Sequence, residues 1–543
     1  MRNFLLCEEL WGFCRTSPSL RVCGFVHGRE PMDERSLGVL RRCLSSFAQN
    51  SNGFAKELQF TEIIIEDGYE NSLVWTDIAE VIRSFDALDT LNLCACPLAL
   101  LKWMLEGLLL NPSIKNVEVS PCRDWTNEVE LSLLFERFIQ SSVSLQCVTV
   151  RQMTTLGLQC LTRPFTESRS LTTLKMSASF QGFGHGRVRR NDEFLGALSL
   201  LVESSPSLQE LTLWNLSVSP TGYRMFCQAV KASEVLKKLY IHFGGSLTMV
   251  RETSNYLTEL IGGRNRSLLY LELCDYTETA FAPASFRHVL AQSNSLKALR
   301  LCVKSMEDAH FSNLLGGLRH NESLKELHFS PNLLGNLTGE QLNNVFDTNT
   351  TLETLNISRA GPELIGILTR ALTNEKCGLQ CLSLYDFTWM TPHVMDNMLV
   401  ASHQRRLKEL HLVGTISQQH IKIISRHLPR LEYLVKFSIR LPPSIKTKRR
   451  LKLIEAMMKN QSLESFEFDT SADAATVAIR DMCVLRNTIL RMKRQCIPDN
   501  LWPRALQRAA HSNRSGLFLA LRMIAIDFCP TKTLNKRKAP STS

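Results

Sequence analysis

The sequence predicts an α/β solenoid, a chain of stacked strand–turn–helix units, and three observations predict it. Six hexamers in the middle of the chain recur with steps of 28, 28, 28, 27 and 28 residues. They are LLYLEL from Leu268, LKALRL from Leu296, LKELHF from Leu324, LETLNI from Leu352, LQCLSL from Leu379 and LKELHL from Leu407. Each is apolar at its first, fourth and sixth places and mostly polar between them. A beat of this length marks units that cannot bury their own apolar face and stack to share a core. Between hexamers, apolar residues return at three- and four-residue spacing, one face of a helix. Short polar turns then lead into the next hexamer.

Taken in order, residues 1–50 read as an N-terminal helical cap, because RSLGVLRRCLSSFAQ sets Leu37, Leu40 and Leu44 on one side of a helix. Repeats occupy 51–470. Hexamers begin at Ala55 (degenerate), Leu88, Ile114, Leu145, Leu171, Leu208 and Leu236, then at the six central positions, then at Leu431 and Leu463, about fifteen units in all. The intervening helices carry Tyr223, Phe226 and Val230 in one unit, Phe311, Leu314, Leu315 and Leu318 in another, and Leu342, Val345 and Phe346 in a third. Many helices end in a turn that opens on asparagine: NRSL at Asn265, NESL at Asn321, NTTL at Asn349 and NQSL at Asn460. Asparagine tolerates the left-handed backbone that closes a helix, so these corners are expected to close that way. These four sequons follow from the repeat and imply no glycan.

Residues 471–529 read as a helical C-terminal cap of a different kind. NTILRMKRQ, LWPRALQRAA from Leu501 and SGLFLALR from Ser515 form amphipathic helices with Trp502 and Phe518, and a dissimilar helical segment is what covers the raw end of a repeat array. Asn500 and Pro503 suit a helix start. Residues 530–543 read as a disordered basic tail.

A strand–turn–helix unit of about 28 residues, repeated this often, resembles the leucine-rich repeats of the ribonuclease-inhibitor type. The resemblance covers most of the chain. It implies a horseshoe with parallel strands on the concave side and helices outside. In that family an Asn or Cys usually holds the ninth repeat position and satisfies loop backbone groups. Here that position holds Cys96, Cys122, Met153, Leu216, Gly244, Lys304, Asn332 and Phe387. Irregular strand-to-helix turns and uneven curvature are therefore expected. The C-terminal segment is similar to the closing region of uncharacterised repeat proteins of diatoms and related algae, where an LWP helix precedes a final aromatic–leucine–arginine helix.

Composition excludes several classes. The 543 residues are 44% hydrophobic, enough for a large core. No segment approaches 18 continuous apolar residues, so no membrane span is expected. The opening MRNFLLCEELWGFCRTSP is broken by Glu8 and Glu9 too early for a secretory signal. Seventeen cysteines in that setting read as reduced thiols, with Cys94, Cys147, Cys274, Cys302 and Cys381 in or beside strands. A cytoplasmic protein is the expectation, with a nuclear one as the alternative.

Charge is unevenly placed. Residues 441–543 hold 19 Lys/Arg against 8 Asp/Glu, a net of +11 that equals the whole chain's +11, so residues 1–440 balance at zero. The basic runs are KTKRR from Lys446, ILRMKRQ with Arg491, Lys493 and Arg494, and NKRKAPSTS with Lys536, Arg537 and Lys538. A solvated cap and tail is the plain reading. A nuclear-import or nucleic-acid patch is the alternative, without the interleaved aromatics that single-strand binding uses.

Motifs of catalysis are missing. The sequence holds no GxxxxGK[ST] loop, no HExxH, no GxSxG and no paired CxxC, and no cofactor or metal is expected. Cys94 and Cys96 read as packing residues. Glycines 182, 184 and 186 in FQGFGHGRVRRND lie between strand and helix without the third glycine of GxGxxG. That segment reads as an extruded basic loop with Arg187, Arg189 and Arg190, open to a phosphate or partner contact.

What remains is one face of the strands. Side chains alternate along a strand, so the third, fifth and seventh repeat positions point to solvent. Those positions hold Trp214, Lys238, Tyr240, His242, Tyr270, Glu272, Arg300, Glu326, His328, Tyr385, Glu409 and His411. Trp, Tyr and Arg dominate binding energy at interfaces. Trp214, Tyr240, Tyr270 and Arg300 are read as a protein-binding patch, with His242, Glu272, His328, Tyr385 and His411 as further contacts. The histidines are read as surface residues rather than metal ligands.

A non-catalytic scaffold that binds a protein on its concave face is the function these residues favour. The alternatives are an adaptor or regulator, such as a ubiquitin-ligase substrate receptor or a GTPase regulator, and a nuclear or nucleic-acid-associated protein. No F-box is recognisable in residues 1–50.

Overall fold

A computed structural model describes most residues between 88 and 468, apart from several loops, together with 19–23, 41–42, 57–61 and 73–83. The chain divides into two compact units, residues 1–304 and 305–543.

The first unit carries a parallel sheet of ten strands in sequence order. These are β1 Ser19–Cys23, β2 Glu57–Thr61, β3 Thr90–Cys96, β4 Asn116–Pro121, β5 Cys147–Met153, β6 Thr173–Ala178, β7 Glu210–Leu216, β8 Lys238–Phe243, β9 Tyr270–Asp275 and β10 Ala298–Val303. The second carries six: β11 Glu326–Phe329, β12 Thr354–Ser358, β13 Cys381–Phe387, β14 Glu409–Gly414, β15 Lys436–Ile439 and β16 Ser465–Phe468. Each of the fifteen hexamers became a strand. The period alone placed them. The strand at Ser19–Cys23 lies inside the span read as a cap and pairs in register with β2, Ser19 opposite Glu57.

Register explains why the pattern works. Neighbouring strands align position for position, Leu239 opposite Leu271 and Leu271 opposite Leu299 in the first unit, Leu355 opposite Leu382 and Leu382 opposite Leu410 in the second. From β3 to β14 the fourth and sixth places therefore form apolar rows within each unit, and all of these side chains are buried. Helices lie against those rows. Tyr223 and Phe226 of helix Pro220–Ala232 are fully buried, and so are Phe311 and Leu314 of helix Asp308–Leu318 and Leu342 and Val345 of helix Asn336–Thr348. Burying such a side chain stabilises by about 1.5–3 kcal/mol.

The helix-to-strand corners depart from expectation. Among the described residues, the non-glycine positions with positive φ are Arg359 and Asp386, and no asparagine is among them. Asn460 has φ −76° and ψ 129°, an extended backbone. Its role is carried by the side chain. Asn460 Nδ2 donates to the carbonyls of Leu428 and Leu431 in the preceding repeat, and its Oδ1 accepts from the amides of Ser462 and Leu463. Asn349 repeats the pattern with Leu318, Asn321, Thr351 and Leu352. Serine does a smaller version three residues before the hexamer at Ser205 and Ser233. A second column of hydroxyls, one residue before the hexamer, donates to the previous repeat: Ser113, Ser144, Ser207, Ser267, Thr351 and Ser462. At these corners the following unit satisfies buried backbone carbonyls of the one before it.

At the opposite corner the expected irregularity is present. The pairing shifts register at Cys96, Met153, Leu216 and Phe387, all ninth positions, of which Cys96 alone keeps the residue type usual in that family. The positive-φ residues Arg359 and Asp386 occupy the eighth position of consecutive repeats, a backbone region costly for side chains other than glycine.

The segment read as an extruded basic loop is different from expectation at its second half. The backbone from Gly186 onward is the start of a 19-residue helix, Gly186–Ser204, so Arg187, Arg189 and Arg190 stand on a helical turn. Residues 179–185, Asn265, most of 1–50, the C-terminal cap at 471–529 and the tail at 530–543 lie outside the described residues.

Candidate binding face

The sheet face turned away from the helices presents the third, fifth and seventh repeat positions as three parallel rows. In the first unit the seventh-position row runs Arg151, Ser177, Trp214, His242, Cys274, Cys302 across β5 to β10, and the fifth-position row ends Tyr240, Glu272, Arg300 across β8 to β10. The sequence set each residue on its row. Which side chains meet across strands is decided by the structure.

Tyr240 and Tyr270 pack ring against ring at 4.8 Å between centroids, inclined by 37°. Arg300 lays its guanidinium over the Tyr270 ring, 5.4 Å from its centroid, an arrangement favourable to cation–π attraction. The Tyr270 hydroxyl donates to Glu272 Oε2 at 2.7 Å. Burial first, and that hydrogen bond second, push the Tyr270 phenol far above its ordinary value. Arg300 Nη1 lies 3.7 Å from the same oxygen. Glu272 Oε1 faces the other way, 3.7 Å from His242 Nε2 and 3.7 Å from Cys274 Sγ. Burial holds the His242 imidazole below its ordinary range, and the Glu272 charge opposes that shift only in part.

Trp214 stands one strand from this group, opposite His242. Its partner is Arg151, whose guanidinium lies 5.6 Å from the indole while also bonding Glu118 at 3.0 Å. Arg151 was not among the expected contacts, and reading the seventh positions outward from Trp214 would have found it. Beside these lies a chain of ion pairs in which Glu210 reaches Lys238 at 3.2 Å and Lys175 at 3.9 Å.

In the second unit His328 and Tyr385 stack with centroids 6.1 Å apart and planes within 12°. His328 Nε2 also meets Ser358 Oγ at 3.2 Å. His411 Nε2 lies 3.4 Å from Glu409 Oε2, and Cys381 Sγ lies 3.9 Å from that carboxylate oxygen. Burial and the Glu409 charge raise the Cys381 thiol to about 11. Two histidines read from the sequence as plain surface residues thus sit against a carboxylate and a thiol. The nine expected residues fall into two groups: Trp214, Tyr240, His242, Tyr270, Glu272 and Arg300 in the first unit, and His328, Tyr385 and His411 in the second.

Among the described residues, no helix is long and apolar enough to cross a membrane. No family model matches the chain. The chain is 28% identical to a mouse ribonuclease inhibitor over 211 residues, which is 38% of this chain and 45% of that protein. It therefore spans just under half the length of that relative. A solved structure of leiomodin-1 actin-binding site 2 aligns with a TM-score of 0.26 and 15% identity, covering 29% of this chain and 91% of that one. Period, register and the likeness to the ribonuclease inhibitor agree on the repeat type.

Proposed function

Since the chain folds as a leucine-rich-repeat protein of the ribonuclease-inhibitor-like type, we propose that it is a non-catalytic scaffold that binds a protein partner on the open sheet face of residues 1–304. The observation that carries this reading is the Tyr240–Tyr270–Arg300 stack beside Trp214. Four residues of hot-spot type stand on four adjacent strands, half-buried and held by their neighbours. Rigid aromatic and arginine side chains lose little entropy on binding and bury large area, so a few of them supply most of an interface's energy. Strands about 4.8 Å apart put all four within one standard contact patch.

The name of the mouse relative describes a protein that acts on another protein, which fits the same partner class. An adaptor or regulatory role would use the same surface. Protein binding needs no chemistry from Glu272 or the histidines, and we take the chain to have no activity of its own. The cytoplasm is the compartment that suits seventeen cysteines.

The test replaces Trp214, Tyr240, Tyr270 and Arg300 together by alanine in the full chain. Partners recovered by the parent chain are expected to be lost, at about 2 kcal/mol or more for each hot-spot truncation, while the circular dichroism spectrum is retained. An unchanged partner set from a folded variant overturns the reading.

A further inference from the structure

Four side chains on the open face of the first unit make a set that nothing above requires for protein binding. His242 from β8, Glu272 and Cys274 from β9, and Cys302 from β10 stand on three successive strands. The register places His242 opposite Cys274 and Cys274 opposite Cys302 in the seventh-position row, with Glu272 two residues before Cys274 on the same face. We propose that these four residues bind a single Zn²⁺ ion that ties the three strands together.

The donor set is the first argument. Imidazole, carboxylate and two thiols are zinc's ligand types, and four protein ligands make a closed structural site rather than one open to substrate. Distances are the second. Zinc bonds of about 2.0–2.3 Å on a tetrahedron put ligand atoms about 3.3–3.8 Å apart. Glu272 Oε1 lies 3.7 Å from both His242 Nε2 and Cys274 Sγ, and the three ligand atoms all fall within 4.8 Å of one another. Cys274 and Cys302 stand opposite each other in the register of β9 and β10, and neither is in a disulfide. Cys302 stands outside that set of three and completes the site when its side chain turns toward them from the next strand.

The surroundings are the third argument. A ligating carboxylate needs its second oxygen held. Glu272 Oε2 accepts the Tyr270 hydroxyl at 2.7 Å and faces Arg300, which leaves Oε1 turned toward His242 and Cys274. Two thiolates and a carboxylate around Zn²⁺ carry a net charge of −1, and the Arg300 guanidinium offsets it. The site is also screened from water, with the His242 and Glu272 side chains 24% and 14% exposed and Cys274 buried. Binding releases the thiol protons to solvent and needs no oxidant.

The second unit has a related trio, Cys381, Glu409 and His411. It lacks the second thiol, and the neighbours of Cys381 in the same row are Thr354 and Glu409.

This inference does not rest on the protein-binding reading. The experiment uses the full chain, reduced and stripped with a chelator, then titrated with Co²⁺ and Zn²⁺ under reducing conditions. One equivalent of Co²⁺ is expected to give thiolate charge-transfer absorption with the intense visible bands of tetrahedral cobalt, and Zn²⁺ to displace it. Cys274→Ser/Cys302→Ser is expected to abolish the signal, and His242→Gln to weaken the affinity. Tyr270→Phe is expected to lower it about 10-fold through the carboxylate's lost anchor. If the double variant does not keep the parent circular dichroism spectrum, His242→Gln and Tyr270→Phe carry the test. No charge-transfer band in the folded parent chain overturns the proposal. So does a band that survives the double variant, or one that only Cys381→Ser removes.

Discussion

Asn349 donates its side-chain amide to the backbone carbonyl of Asn321, one repeat earlier, at 2.9 Å. The same amide reaches the Leu318 carbonyl at 2.7 Å, and its oxygen accepts two backbone amides at 3.0 Å. Both asparagines are buried, Asn349 at 6% exposure and Asn321 at 2%. Asn349→Ala is expected to leave buried backbone groups without partners and to cost about 2–3 kcal/mol. Urea unfolding should show the loss as a lower midpoint. Thr348→Ala, next door on the exposed side of the helix, is expected to stay within about 0.5 kcal/mol. Equal effects of the two would remove the asparagine from its structural role.

Buried sequons follow the same logic. With Asn321, Asn349 and Asn460 each enclosed and hydrogen-bonded, a glycan cannot be attached without opening the corner. Passage of the chain through a glycosylating secretory route should leave these three sites unmodified in native-state mass spectra. Full occupancy of Asn349 in a folded chain would contradict the corner described above.

Two glycines separate steric need from mere tolerance. A Cβ on Gly378 would sit 2.5 Å from the Thr350 carbonyl oxygen, a backbone atom with no rotamer to yield. Gly378→Ala is expected to destabilise by about 1–3 kcal/mol. A Cβ on Gly366, inside helix Pro362–Thr373, meets nothing within 4 Å. Gly366→Ala should stabilise by up to about 1 kcal/mol through helix propensity. Thermal melts of the two variants should move in opposite directions.

Acid is expected to weaken the second unit. His427 Nδ1 lies 3.1 Å from His403 Nε2, and its Nε2 lies 2.6 Å from Asp396 Oδ1, where Arg426 also bonds. Burial first, then the neighbouring charges of His427 and Arg430, hold His403 below its ordinary 6.5. The fold therefore prefers neutral His403, so its contribution is present above about pH 6.5 and is lost as pH falls through the lower folded value. Asp396 is held below the carboxylate range, chiefly by the His427 hydrogen bond and then by Arg426. Its contribution stands above about pH 4 and disappears only under stronger acid. The melting temperature should fall between about pH 7 and 5, and His403→Gln should flatten that slope. A slope unchanged in the variant would assign the effect elsewhere.

Inside and outside were legible along each strand. Leu271 and Leu273 go inward while Tyr270 and Glu272 go outward, because alternation is a property of the extended backbone itself. The helical faces were legible for the same local reason. The corner asparagines were visible as a recurring type, yet their job was misassigned. A left-handed backbone and a cross-repeat side-chain ladder favour the same residue, and only the neighbouring repeat distinguishes them. Cys274 and Cys302 were placed in or beside strands as reduced thiols, and reading them across rather than along the chain would have set them beside His242.

The sequence by itself determined the repeat length, the order of strands and helices, and the row on which each side chain stands. Periods of 2 and 3.6 arise from sterics within a few residues, so they are written locally. The tertiary structure decided which residues touch. Arg151 meets Trp214, and Glu272 divides its oxygens between Tyr270 with Arg300 and His242 with Cys274. Those pairings depend on the lateral register of separate strands and on rotamers fixed by packing, and neither exists until the repeats have stacked.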